Sequence, residues 1–237
     1  MQEIIRQSKS IIPACDVKTF TELEEIIEST FDLKAVGAYK IGFSLALRYG
    51  LSKVTATIRQ YTGKPIIYDH QKAATDIPDT GTAFAQVCRQ NGVDAVILFP
   101  LAGPKTQRAW IEAMQKEGLG VIVGAEMTHE NFLASEKGYI DDSAPQKIFG
   151  LSVQLGVTNF VVPGNKPQKI AEYRKFFESK KIRPVLYSPG FIAQGGKLTD
   201  AASAAGPNYH AIIGRAITGA KDKRKAVQEL AKELLAE

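Results

Sequence analysis

The sequence predicts an α/β protein built as a single (β/α)8 barrel over residues 1–237, and three observations predict it. Short apolar, β-branched runs alternate with longer stretches of helical spacing that carry most of the charge, which is the pattern of βα units on a parallel sheet. Eight such units fit into 237 residues, close to the usual size of an eightfold barrel. No Ser/Gly linker, low-complexity tract or charge block divides the chain. A doubly wound open sheet is the alternative, and the regularity of the eight units favours closure.

The strands are read at 11–17 (IIPACDV), 35–42 (AVGAYKIG), 65–71 (PIIYDHQ), 94–100 (DAVILFP), 120–127 (GVIVGAEM), 159–164 (NFVVPG), 183–189 (RPVLYSP) and 210–217 (HAIIGRAI). A helical stretch follows each, beginning near Thr19, Phe43, Asp79, Pro104, Ser143, Pro167, Leu198 and Gly219. Asp79 and Ser143 are residue types that cap helix N-termini, and Pro104 and Pro167 suit a first helical turn. Gly92, Gly118 and Gly156 stand where helices should stop.

Composition removes other classes. The chain is 44% hydrophobic and 23% charged, too apolar for a disordered chain. No apolar run approaches the roughly 18–20 residues of a membrane span. The opening MQEIIRQSKS lacks the apolar run and cleavage site of a signal peptide, so a cytoplasmic location is expected. Cys15 and Cys88 cannot build a disulfide framework or a four-thiolate zinc site. A net charge of +5 raises the question of an anionic partner. The basic end of the chain, KDKRKAVQELAKELLAE, reads as the solvated face of a last helix and not as a nucleic-acid patch.

A barrel also says where chemistry belongs, namely at the C-terminal ends of its strands. Those ends give Asp16, Lys40, Asp69 with Lys72, Pro100, Glu126 to Thr128, Pro163, Ser188 to Gly190, and Gly214 with Arg215. Asp76 follows in the loop after the third strand. Lys40 sits in an otherwise apolar run, where a charge is costly unless it is paired or faces a wet cavity. Asp69 poses the same problem with the opposite sign, and lysine partners would keep it ionised. An alternating Lys–Asp–Lys–Asp array is self-consistent, whether as a catalytic network or as an ion-pair cluster closing the barrel end. The three histidines, His70, His129 and His210, lack metal-ligand spacing, and His70 reads as a neighbour of the cluster. SPGFIAQGGK (188–197) and IIGRAI (212–217) place glycines and Arg215 after strands seven and eight, where barrels hold phosphate. Trp110 reads as a packing residue on the fourth helix, and Cys15 as a small core residue without a base.

With these residues in place the chain resembles the orotidine 5′-monophosphate decarboxylase suprafamily of phosphate-binding barrels. The resemblance runs over nearly the whole length. It is carried by the aspartate of ACDV, the lysine of YKIG, the D…K…DIPDT segment, the SPG…AQGG loop and the final GRAI. It implies that Lys40, Asp69, Lys72 and Asp76 form the charged tetrad, and that Asp16 binds a ribose hydroxyl. Asp76, with Ile77 and Thr80, is then expected to cross a homodimer interface into the neighbouring site. Thr128 falls where the family has a serine touching the pyrimidine, and Pro189 lines the site. Gln194 would contact base and phosphate, while Arg215 and the backbone at Gly195 and Gly214 hold the phosphate. Residues 190–197 would form a lid.

The activity implied is the decarboxylation of orotidine 5′-monophosphate (OMP) to UMP in pyrimidine biosynthesis, with no cofactor or metal. Lys72 would protonate C6. No nucleic acid or membrane partner is implied. The sequence departs from the family motif D-x-K-x-x-D, having D-H-Q-K-A-A-T-D with one extra residue in each gap. Strand residues three apart face opposite ways, so Asp69 and Lys72 can share the mouth only if the strand bulges or ends between them. Two rivals are a magnesium-dependent sugar-phosphate enzyme of the same suprafamily and an inert phosphate-binding barrel.

Overall fold

Each apolar run becomes a parallel strand, and each strand is shorter than its run. The structure is a computed structural model and describes residues 3–70, 73–191 and 197–235. Its strands are β1 (Lys9–Pro13), β2 (Tyr39–Gly42), β3 (Ile66–Asp69), β4 (Ala95–Leu98), β5 (Gly120–Gly124), β6 (Asn159–Val161), β7 (Val185–Ser188) and β8 (Tyr209–Ile213). They form one eight-stranded sheet in the order β1-β8-β7-β6-β5-β4-β3-β2. The seam between β1 and β2 is closed by backbone bonds. Ile11 N donates to Ala35 O (2.9 Å), Gly37 N to Ile11 O (3.1 Å) and Cys15 N to Lys40 O (2.8 Å). The sheet therefore curls into a barrel and not into an open, doubly wound sheet.

The helices are α1 (Phe20–Thr30), α2 (Phe43–Tyr49), α3 (Leu51–Tyr61), α4 (Thr80–Gln90), α5 (Pro104–Lys116), α6 (Ala144–Gln154), α7 (Pro167–Ser179), α8 (Leu198–Ala205), α9 (Arg215–Thr218) and α10 (Lys223–Leu235). Thr19 makes a full capping box with Glu22 at the start of α1. Asp79 and Ser143 stand at helix starts but make no side-chain cap bond, because both already have helical backbone angles. The last helix begins at Lys223, not near Gly219, since the short α9 takes up the chain after β8. Gly92, Gly118 and Gly156 end their helices with φ of 75°, 71° and 80°, as expected. The basic tail is less solvated than its composition suggests: Lys223 pairs with Glu25 (3.1 Å) and Arg224 with Asp32 (2.7 Å), which ties α10 to α1.

Strand alternation sorts the side chains into two cores. Ile11, Tyr39, Ile66, Tyr68, Val96, Leu98, Val123 and Tyr209 face outward onto the helices. Ile12, Ile67, Ala95, Ile97, Ile122, Val161, Tyr187 and Ile212 fill the barrel interior. Lys40, Asp69 and Glu126 fall on the inward parity, which is why a charged cluster can form over an apolar plug. No helix among the described residues is long and apolar enough to cross a membrane.

The opposite end of the barrel holds a buried histidine. His210 is 1% exposed, with Nδ1 2.8 Å from Ser10 Oγ. Burial pushes its pKa down to about 3. The unfolded chain therefore takes up this proton near pH 6.5 while the fold refuses it. Stability from this group is present above pH 6.5 and is lost as pH falls toward 3, with a slope approaching about 1.4 kcal/mol per pH unit. Urea midpoints measured between pH 7 and 4 should fall for the parent protein and fall less steeply for His210→Gln. Equal slopes would contradict this.

Candidate active site

The mouth of the barrel is a cavity of about 380 Å³. At its floor Lys40 lies between two carboxylates, with Nζ 2.9 Å from Asp16 Oδ2 and 3.0 Å from Asp69 Oδ2. Lys40 and Asp69 are buried, at 5% and 7% exposure, while Asp16 opens to solvent. Burial works against the Lys40 ammonium, but the charges of Asp69 and Asp16 and their hydrogen bonds outweigh it. The pKa of Lys40 is held well above its ordinary value. Gly42 permits this arrangement: a Cβ there would lie 2.3 Å from Asp16 Oδ1, so only glycine lets the Asp16 carboxylate lie across the end of β2.

β3 ends at Asp69, and the chain turns there. Ala73 N donates to His70 O (2.7 Å), and Ala74 has φ of 65°. Of the two ways open to the lengthened motif, a bulge or a strand end, the chain takes the strand end, at Asp69. His70 leaves the cavity for an aromatic group: its Nδ1 is 2.9 Å from the Tyr68 hydroxyl and its ring is 5.7 Å from Phe84. Burial lowers its pKa, with Asp69 opposing. Cys15, fully buried beside Asp16, has its thiol pKa raised first by burial and then by the Asp16 charge, which is the behaviour of a core residue and not of a nucleophile.

Of the residues expected from the sequence, Asp16, Lys40, Asp69, Thr128, Pro189, Gly214 and Arg215 all line this one cavity. Arg215 is exposed and makes no ion pair with any described residue, so its charge faces the opening. Asp76 and Thr80 line a separate hollow with His70, Thr75, Phe84 and Trp110, and Ile77 is 58% exposed. These three do not reach the cavity of their own chain. Lys72, Gln194 and Gly195, with most of the expected lid, lie outside the described residues.

A second charged group is less legible in the sequence. Glu126 lines the cavity and is fully buried, held by Lys166 Nζ (3.0 Å) and by the Tyr173 hydroxyl. Lys166 also reaches Glu136 (2.7 Å), and Asn165 Nδ2 donates to the carbonyl of Thr128 (2.9 Å). Burial disfavours the Lys166 charge, and the two carboxylates override it to raise its pKa. This network fixes the loop that carries Thr128. The signal for Glu126 is the one that marks Asp69, a carboxylate directly after a buried strand. Its partners lie about forty residues away and leave no local trace. Phe99, Met127 and Ile212 complete an apolar wall.

Fold and mouth together define a class: a (β/α)8-barrel enzyme that works on a small anionic molecule over a buried cluster of protein charges. Comparison with known proteins narrows the class. The model of the orotidine 5′-phosphate decarboxylase / HUMPS family matches residues 9–230. Orotidine 5′-phosphate decarboxylase of Methanosarcina mazei is 33% identical over 98% of each chain, and that of Thermococcus kodakarensis is 32% identical over 97% of this chain and 98% of its own. Among solved structures, orotidine 5′-monophosphate decarboxylase of Methanocaldococcus jannaschii, complexed with the inhibitor BMP, superposes with a TM-score of 0.82 at 25% identity, covering 96% of this chain and 99% of that one. The Pyrococcus horikoshii enzyme gives 0.77 at 27% identity, over 94% and 98%. The chain belongs to the orotidine 5′-phosphate decarboxylase / HUMPS family, and it is an enzyme of the carboxy-lyase class.

Proposed function

We infer that this protein decarboxylates OMP to UMP and CO2, a step of pyrimidine biosynthesis, and that its own charged side chains do the work without metal or cofactor. The observation that carries the reading is the Lys40 ammonium seated between the Asp16 and Asp69 carboxylates, under a cavity with a free Arg215 at its rim. A nucleotide laid across this cavity has its phosphate at Arg215 and the backbone of Gly214, with Gln194 and Gly195 closing over it. Its ribose lies at Asp16. Its pyrimidine rests against Thr128 and Pro189.

Breaking the C6–CO2 bond leaves an electron pair on C6 with no adjacent sink. A preorganised cation beside C6 stabilises that charge. Lys72 supplies it, then gives its proton to C6 and regains one from solvent. Asp69 sits near the departing carboxylate and disfavours it. Lys40 and Asp76 hold the pair, Asp76 coming with Ile77 and Thr80 from the second subunit of a homodimer. The phosphate, remote from C6, contributes binding energy that closure of the lid over residues 190–197 turns to the transition state. The whole chain acts as one barrel domain, in the cytoplasm, with no nucleic-acid or membrane partner.

Lys40 Nζ already occupies the space between the Asp16 and Asp69 carboxylates, which favours this reading over a magnesium-dependent sugar-phosphate reaction that would place its metal between such groups. Incubation of OMP with the protein in D2O should give UMP and CO2 in equal amounts, with one deuterium at C6 of UMP. Binding of UMP without release of CO2 would instead identify an inert barrel.

A further inference from the structure

The segment that carries Asp76 leaves its strand early and runs exposed over the rim. A charge on such a segment is poorly placed unless something rigid holds it. What holds it here is α5. Thr106 Oγ1 donates to the carbonyl of Asp76 at 2.9 Å, and Trp110 Nε1 donates to the carbonyl of Ile77 at 3.0 Å. The two donors are four residues apart on one face of α5, and both are buried, at 5% and 4% exposure. Thr80 Oγ1 also meets the carbonyl of Ile77 (2.8 Å), and Ile77 N donates to Asp76 Oδ1 (2.7 Å). The backbone that aims the Asp76 carboxylate is thus pinned at two consecutive carbonyls.

The start of α4 is cut to fit the indole. A Cβ on Gly81 would lie 2.8 Å from Trp110 Cδ1 and 3.1 Å from its Cα, so the two helices touch there only because residue 81 is glycine. The Trp110 ring then meets Phe84 at 5.0 Å, and Phe84 meets His70 at 5.7 Å. Packing alone would be served by a phenylalanine. The indole N–H aimed at a loop carbonyl is what packing leaves unexplained.

We propose that Trp110, assisted by Thr106, is a positioning residue for the reaction that acts across the dimer: it sets the Asp76–Ile77 segment for the partner's site and not for its own. This rests on the proposed function, in which Asp76 serves the neighbouring subunit. Trp110→Phe keeps the ring and removes the donor. It should leave the dimer and its circular dichroism unchanged and lower kcat for OMP about tenfold, with KM moved less than about threefold. Thr106→Val should act in the same direction and more weakly.

The deciding test is a mixed dimer of one Lys40→Ala subunit and one Trp110→Phe subunit, isolated with two affinity tags. One of its sites lacks Lys40 and is inactive. The other has Lys40 and receives Asp76 from a subunit with intact Trp110, so it should turn over at the parent rate and give half the activity of the parent dimer. A mixed dimer no more active than half of a Trp110→Phe dimer overturns the proposal, because the indole then serves its own barrel. Full activity of Trp110→Phe beside an impaired Asp76→Asn also overturns it, leaving the function intact. Full activity of Asp76→Asn overturns the trans reading itself, and the proposal with it.

Discussion

Lys72→Ala is expected to lower kcat for OMP by roughly 10⁴-fold or more while UMP still binds. Loss of the proton donor alone costs on the order of 10² to 10⁴, and loss of the preorganised cation beside the developing carbanion adds a further factor of roughly 10² to 10³. In the proposed function, product binding rests on the far side of the cavity, which Thr128, Pro189, Gly214 and Arg215 line. UMP affinity by calorimetry and turnover by loss of OMP absorbance should therefore separate. Near-normal turnover would remove Lys72 from the chemistry, and parallel loss of both would point to a collapsed site.

The second large effect is expected at Lys40. Lys40→Met removes the cation that the Asp16 and Asp69 carboxylates share at the cavity floor. Taking one partner from a buried ion pair is strongly destabilising, and with Asp16 half open to water a cost of about 3 kcal/mol is expected. For a chain of this size that lowers Tm by roughly 6–12 °C. Activity should fall about 10³-fold, because the remaining charges lose their fixed positions. Lys40→Met/Asp69→Asn should recover much of the Tm without recovering activity. Recovery of both, or loss of neither, would make the cluster a dispensable feature of the barrel end.

Much of this was legible in the sequence because a parallel barrel obeys local rules. Apolar runs such as IIPAC and AVILFP mark the strands, and their C-terminal ends then nominate Asp16, Lys40, Asp69, Thr128, Pro189, Gly214 and Arg215, which the structure brings to one cavity. Strand limits were less legible. The apolar runs continue past the strands, as at Leu98, where β4 ends although Phe99 and Pro100 extend the run. The break between α2 and α3 turns on Gly50, with φ of 83°, inside a stretch whose helical spacing is otherwise unbroken. Asp79 has the right type for a cap but the wrong backbone angles to act as one.

What stayed hidden are the pairings between distant residues. Lys166, in a proline-flanked loop, looks like a solvated residue at a helix start, yet it secures Glu126 and with it the Thr128 loop. Trp110 reads as packing, and only its donation to the carbonyl of Ile77 reveals a second role. Both contacts depend on tertiary placement, which no window of sequence records.

Removal of divalent metal separates catalysis by the protein's own charged side chains from metal-dependent chemistry. The measurement is the loss of OMP absorbance catalysed by protein dialysed against EDTA and assayed with EDTA present. The expected rate equals that of untreated protein, with UMP as product. A rate abolished by EDTA and restored by magnesium, or no loss of OMP under either condition, would contradict catalysis by those side chains.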